Sequence, residues 1–178
     1  MVHQLAAFSI RPFRADEWPA YRALRLRALA DAPDAFSTML DTQQELPPET
    51  WAARLSAAAA SGKDCPLVAE PHCERVGMAW TKVDADDPAI VNLFQMWVAP
   101  EARGQGVAAA LLAEAVRWSG ARGAQALQLG VNCANLPAVR LYERAGFVET
   151  GLREPFRPGA AMTEQRMRLE LAPALPRI

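Results

Sequence analysis

The spacing of apolar positions changes abruptly between residues 90 and 113, and that change is the strongest structural signal in the chain. A near-continuous apolar run, Ile90–Val98, stops at Pro100, and a turn holding Gly104 and Gly106 follows. Val107, Leu111, Leu112 and Ala115 then recur at helical spacing, with neither Gly nor Pro between Val107 and Ser119. The pattern predicts a strand, a tight turn and a helix over residues 105–119. Strict alternation from Asn92 would put Asn92, Phe94, Met96 and Val98 on one face and Leu93, Gln95 and Trp97 on the other. Both faces are then largely apolar, so the strand is expected to be covered on both sides.

Elsewhere the same reasoning gives a first strand at residues 8–13 and a helix capped by Asp16 and running to about Ala30. Tyr21, Leu24, Ala28 and Leu29 form the helix's apolar face, with Arg22, Arg25 and Arg27 on its solvated or rim positions. Residues 31–46 have no sustained period and read as a long loop. Pro47 and Pro48 open a second helix carrying Trp51, Leu55 and Ala58, which Gly62 closes. Two short β-type runs, residues 65–70 and 75–83, read as a hairpin turning at residues 71–74. Ala126 to Val131 is a buried strand, parallel to the central one across the intervening helix. A helix from Asn135 and two closing strands, at residues 147–150 and 162–171, complete an α/β fold of six to seven strands and about four helices.

The chain has 178 residues, enough for one core, and residues 1–178 are expected to form a single domain. A net charge of −1 gives no electrostatic reason for nucleic-acid binding. The start, MVHQLAAFSIRPF, lacks the layout of an export signal, and no apolar run reaches about 18 residues, so a cytoplasmic protein without membrane attachment is expected. Cys65, His72 and Cys73 lack the paired spacing and fourth ligand of a metal site, and no metal is expected.

The turn before the 105–119 helix carries the chemistry. The first turn of a helix has backbone N–H groups without intrahelical partners and the positive end of the macrodipole. Such a terminus accepts phosphate. Gly104 and Gly106 remove Cβ atoms where ligand oxygens would approach, and Arg103 places a charge at the rim. No Lys-Ser or Lys-Thr pair follows either glycine, which sets aside a P-loop. Gly104-x-Gly106-x-x-Ala109 matches the dinucleotide fingerprint, but the next apolar run ends at Gly130-Val131-Asn132 without the acidic residue that holds a ribose.

Arg103-Gly104-Gln105-Gly106-Val107-Ala108 also fits [QR]-x-x-G-x-[GA], and the segment from Asn135 to Phe147 fits N-x-x-A-x-x-L-Y-x-x-x-G-F at the matching distance downstream. On these two blocks the sequence resembles the GNAT family of N-acetyltransferases. The resemblance implies acetyl-CoA as cosubstrate, its pyrophosphate held by residues 103–108 and its pantetheine arm lying along a splayed pair of central parallel strands at residues 95–98. Asn135 would contact pantetheine, and a backbone N–H at Met96 or Trp97, beside Val98, would face the developing oxyanion. Tyr142 falls two helical turns from Asn135 and would lie near the thioester sulfur. A phenol of pKa about 10 can protonate a departing thiolate of pKa about 8.5.

The acceptor implied is a primary amine of a small molecule or a peptide N-terminus, attacking directly in a ternary complex. No Asp, Glu or His lies between Ile90 and Val98 to serve as base. Gln95 can orient water, and the base is either a carboxylate of the 31–49 segment, such as Glu45, or solvent alone, with Phe36 a further candidate at the acceptor end. The acidic residues of that loop either meet an amine or are simply solvated. Two other readings stay open: a non-catalytic acyl-CoA-binding module of the same fold, and an NAD(P)-binding oxidoreductase. Relatives of this kind pair through sheet edges, so a homodimer is compatible with the sequence.

Overall fold

The computed structural model describes residues 8–71 and 74–171. Residues 1–7, read above for a leader, and His72 and Cys73, read as part of a hairpin turn and of a hypothetical metal site, lie outside the described residues. The strands are β1 (Phe8–Pro12), β2 (Asp64–Pro71), β3 (Gly77–Val83), β4 (Ile90–Val98), β5 (Ala126–Asn132), β6 (Val148–Pro155) and β7 (Thr163–Glu170). The helices are α1 (Trp18–Asp31), α2 (Leu40–Gln44), α3 (Pro48–Ser61), α4 (Val107–Ala121) and α5 (Leu136–Arg144). One seven-stranded sheet runs in the order β1-β2-β3-β4-β5-β7-β6. Among the described residues only β4 and β5 pair in parallel; every other neighbouring pair is antiparallel.

The two faces of β3 show how the helices are layered. A Cβ on Gly77 would touch Leu111 and Val107 of α4, so the face of Gly77, Ala79 and Thr81 looks onto α4. Trp80 points the other way and meets the ring of Tyr21 on α1, which in turn meets Trp51 on α3. Tyr21, Trp51, Leu55 and Leu111 are fully buried, each contributing roughly 1.5–3 kcal/mol of burial free energy. The core is therefore two apolar layers with the middle of the sheet between them.

Strict alternation breaks at one place in β4. Trp80 pairs with Phe94 and Met78 with Trp97, so Gln95 and Met96 together oppose the single residue Ala79. This is a β-bulge, and Gln95 has φ +56°. The extra residue reverses the alternation: Asn92, Phe94 and Trp97 share the α1 face, and Leu93 and Val98 share the α4 face, contrary to the face assignment from strict alternation. Nor is the strand covered on both sides, because Phe94 is 49% exposed. The strained backbone at Gln95, of order 1–3 kcal/mol for such a residue, is held by the Tyr21 hydroxyl, which donates to Gln95 Oε1 at 2.9 Å.

Three further expectations are corrected. Asp16 does not cap the first helix; a 3-10 turn, Ala15–Glu17, precedes α1, and the Arg14 N–H donates to the Glu17 carboxylate at 2.9 Å while Asp16 is exposed. Glu17 prevails because Arg11 and Arg75 also converge on it, at 2.7 and 2.9 Å. The 31–46 loop contains a 3-10 turn, Pro33–Ala35, and the short α2, making five α-helices among the described residues rather than about four. Arg25 is not at the rim: it is 4% exposed. No helix among the described residues is long and apolar enough to cross a membrane.

Candidate active site

The parallel pairing of β4 and β5 runs only from Ile90 opposite Ala126 to Leu93 opposite Leu129. Beyond Leu93 the bulge takes β4 out of register with β5, while β5 stays paired with β7 along its whole length. The two strands diverge, and a cleft of 890 Å³ opens between them. Residues 94–98 form one wall and residues 130–132 the other, with the start of α4, the length of α5 and residues 35–38 closing the remaining sides. The splay implied by the resemblance is present, and its local cause is the extra residue at Gln95 and Met96.

At one end the cleft meets the N-terminus of α4. Gly104 and Gly106 have φ +75° and +84°, and a Cβ on either would meet no atom within 4 Å. The first backbone bond of α4 runs from Ala110 N–H to Gly106 O; the N–H groups of Val107, Ala108 and Ala109 have no acceptor among the described residues. Those three residues line the cleft. Free N–H groups, the positive helix end and open space at two glycines together suit a pyrophosphate. Arg103 also lines the cleft, but its guanidinium is engaged: Nε donates to Val98 O at 3.0 Å and Nη2 pairs with Asp31. Gln105 is the one residue of the 103–108 turn that does not line the cleft; its amide donates to Glu101 O at 3.0 Å.

Along the middle of the cleft lies α5. Asn135 is its N-cap, its side chain accepting from Ala138 N–H at 3.3 Å, and it still lines the cleft. Tyr142 is 6% exposed and packs against Phe147. Burial pushes its phenol well above the ordinary range, so it is a neutral O–H donor throughout the neutral pH range. Opposite, Gln95, Met96, Trp97 and Val98 all line the wall. Met96 has no registered partner on β3, whereas Trp97 pairs with Met78 and its indole N–H donates to Asp31 at 2.8 Å.

The far end is roofed by segments distant in sequence. Phe36 is buried there, under the guanidinium of Arg25 at 4.4 Å from its ring centre. Asn132 Nδ2 donates to Asp34 O at 2.9 Å, and Arg157 Nη2 donates to Pro33 O at 3.0 Å, tying the loop after α1 to β5 and to the β6–β7 hairpin. Glu45 is exposed and does not line the cleft, so the carboxylate proposed from the sequence is not at the site. The carboxylate that does line it is Glu164 on β7, opposite Asn132 in register. Burial raises the Glu164 pKa, Arg166 opposes that shift and Glu154 adds to it.

Two of these residues carried a sequence signal that pattern analysis passed over. Arg25 lies four residues from both Tyr21 and Leu29, and that spacing places it on the buried stripe of α1. Gly130 interrupts an apolar strand, which marks a close approach by another group. That group is the carboxylate of Glu164.

Comparison with known proteins agrees with the geometry. Residues 17–147 match the family described as Acetyltransferase (GNAT) family. A mycothiol acetyltransferase of Thermobispora bispora is 34% identical over 143 residues, covering 78% of this chain and 45% of that protein. The chain thus spans about half the length of the curated relatives it matches. Among solved structures, an acetyltransferase of the GNAT family from Streptococcus pneumoniae superimposes with a TM-score of 0.80 at 25% identity, covering 93% of this chain and all of that one. The yncA protein of Salmonella typhimurium, solved with its cofactor acetyl-CoA, shares the fold with a TM-score of 0.78 at 18% identity over 97% and 98% of the two chains.

Proposed function

Because the chain belongs to the GNAT acetyltransferase family, we propose that it moves an acetyl group from acetyl-CoA to the amine of a small molecule or a peptide N-terminus. The observation that carries this reading is the cleft between the diverging β4 and β5. It joins an uncapped helix N-terminus, a buried phenol and a carboxylate in one 890 Å³ space. When bound, acetyl-CoA supplies a thioester: the amine nitrogen forms a bond to its acyl carbon, and the bond from that carbon to sulfur breaks.

Each requirement of that exchange has a residue in the cleft. The N–H groups of Val107, Ala108 and Ala109 hold the pyrophosphate, with the αL glycines keeping the approach open. The backbone N–H of Met96, in the bulge, meets the negative charge that gathers on the carbonyl oxygen. An amine of pKa about 10.4 arrives protonated, and Glu164, with its raised affinity for a proton, takes that proton directly or through one water. Once bonded to the acyl carbon the nitrogen sheds its second proton to water, and Tyr142 passes its hydroxyl proton to the departing sulfur and recovers that one from the solvent. Backbone placement matters more here than any single side chain.

The curated relatives are named for mycothiol, a small molecule, which supports a small-molecule acceptor over a peptide. The direct test is calorimetric titration with acetyl-CoA, repeated on Gly106→Asp, followed by coenzyme A release with a panel of amines. Failure of the wild-type protein to bind acetyl-CoA would overturn the reading at its cofactor. Tight binding with no turnover on any amine would leave an acyl-CoA-binding module.

A further inference from the structure

A guanidinium sealed inside a protein normally has a carboxylate or several carbonyl oxygens around it, because an unpaired buried charge is strongly destabilising. Arg25 has neither. It is 4% exposed, it makes no hydrogen bond or ion pair with any described residue, and its Nη1 is buried without a partner. Its guanidinium plane rests on Phe36, which fixes its position without satisfying its donors. Burial pulls its pKa down to about 10, the Tyr21 phenol opposing that shift and a second cation, Arg54, adding to it, so it stays charged at neutral pH. The nearby acids are committed elsewhere: Asp31 to Trp97 and Arg103, Asp34 to Arg157.

Arg25 lines the cleft at the end where Phe36 is buried beneath it, and Gln95 and Glu164 line the same cleft. We propose that this end binds a carboxylate on the acceptor, so that the amine substrate is an amino carboxylic acid held by Arg25 as its amine faces the thioester. The planar fork of an arginine matches a carboxylate through two parallel N–H bonds, and closure of that pair in a dry pocket gives both orientation and selectivity. Glu164 then faces the amine and Arg25 the carboxylate, a charge pattern complementary to a zwitterion. This deepens the acetyltransferase reading and rests on it.

The test has two arms. In the first, binding of N-acetyl-alanine, N-acetyl-leucine and N-acetyl-methionine, and of the matching N-acetyl amino amides, is measured by calorimetry on wild type, Arg25→Lys and Arg25→Met, with acetyl-CoA binding measured on the same samples. In the second, coenzyme A release is followed with free amino acids and their amides. The expected result is a preference of about 100-fold or more for carboxylates in wild type. Arg25→Met should abolish that preference through KM with kcat largely kept, Arg25→Lys should restore part of it, and acetyl-CoA affinity should hold throughout. Arg25→Met should also melt no lower than wild type, since it removes an unpaired charge. Equal binding of acids and amides by wild type, or a preference that survives in Arg25→Met, would overturn the proposal. Loss of acetyl-CoA binding in wild type would instead remove the reading beneath it.

Discussion

The carboxylate of Glu164 occupies the space that a Cβ on Gly130 would fill. A glycine in the middle of β5 thus brings the acid of a neighbouring strand into the cleft, where its pKa is raised by burial. If Glu164 is the proton acceptor, kcat/KM should rise with pH along a limb lying above the about 4.3 of a free glutamate. Glu164→Gln should remove that limb and lower kcat/KM by roughly 10²–10³. The stability change has the opposite sign. A glutamate with a raised folded pKa favours folding at low pH, and that contribution is lost as pH rises through the folded pKa, so at pH 7 Glu164→Gln should melt higher than wild type. A pH profile and a melting curve on the same variant check both.

Gly130→Ala tests the placement itself. Its Cβ would displace the end of a flexible side chain rather than backbone, so the variant should fold. Activity should fall by at least about tenfold as Glu164 moves, with the pH limb shifting toward that of a free carboxylate. Unchanged activity and an unchanged limb would show that the position of Glu164 is immaterial.

Tyr142→Phe removes only a hydroxyl from a side chain that is 6% exposed. With no described hydrogen-bond partner for that hydroxyl, folding should lose little. Turnover should drop by roughly 10²-fold while acetyl-CoA affinity stays within about twofold. Parallel calorimetry and steady-state kinetics separate the two quantities.

Gly106 has φ +84° at the N-cap of α4. Asp tolerates the left-handed region better than most residues, so Gly106→Asp should cost only about 1 kcal/mol of stability. Its carboxylate would stand where a pyrophosphate is expected, and acetyl-CoA affinity should fall at least about 100-fold. Gly106→Asn controls for bulk without charge and should retain more of the affinity.

The order of strand, glycine turn and helix was legible in the sequence because each signal is local: Pro100, Gly104 and Gly106 act within a few residues of themselves. The same holds for the Asn135 cap and for α3 closing at Gly62. What local pattern could not supply is anything set by a distant partner. The bulge at Gln95 is braced by the Tyr21 hydroxyl from α1, and strict alternation therefore puts Trp97 and Val98 on the wrong faces. Local pattern points to Glu45 because its loop also carries Phe36, while Glu164 reaches the cleft only through the insertion of β7 between β5 and β6. Arg25 was read as a surface charge because arginines usually are, although its spacing already put it inside.

A network of carboxylates and guanidinium groups anchors α1, and hence Tyr21 and Arg25, to the sheet. Glu17 is 7% exposed and accepts from Arg11, the Arg14 N–H and Arg75, while Arg11 and Arg75 also share Glu70. The Arg11 guanidinium, before the other donors, holds the Glu17 carboxyl well below the usual carboxylate range. A depressed folded pKa stabilises the native state above the unfolded pKa, and that contribution is lost as pH falls through the folded one. Glu17→Gln should therefore cost about 2–4 kcal/mol at pH 7, less than a fully buried pair because both arginines keep contact with solvent. The gap between wild type and variant should shrink steadily as pH drops below about 4.3. Urea unfolding of both proteins from pH 7 to pH 2 measures that gap. A gap independent of pH would mean that Glu17 stabilises α1 by packing and hydrogen bonding that a neutral amide fails to reproduce, and not by its charge.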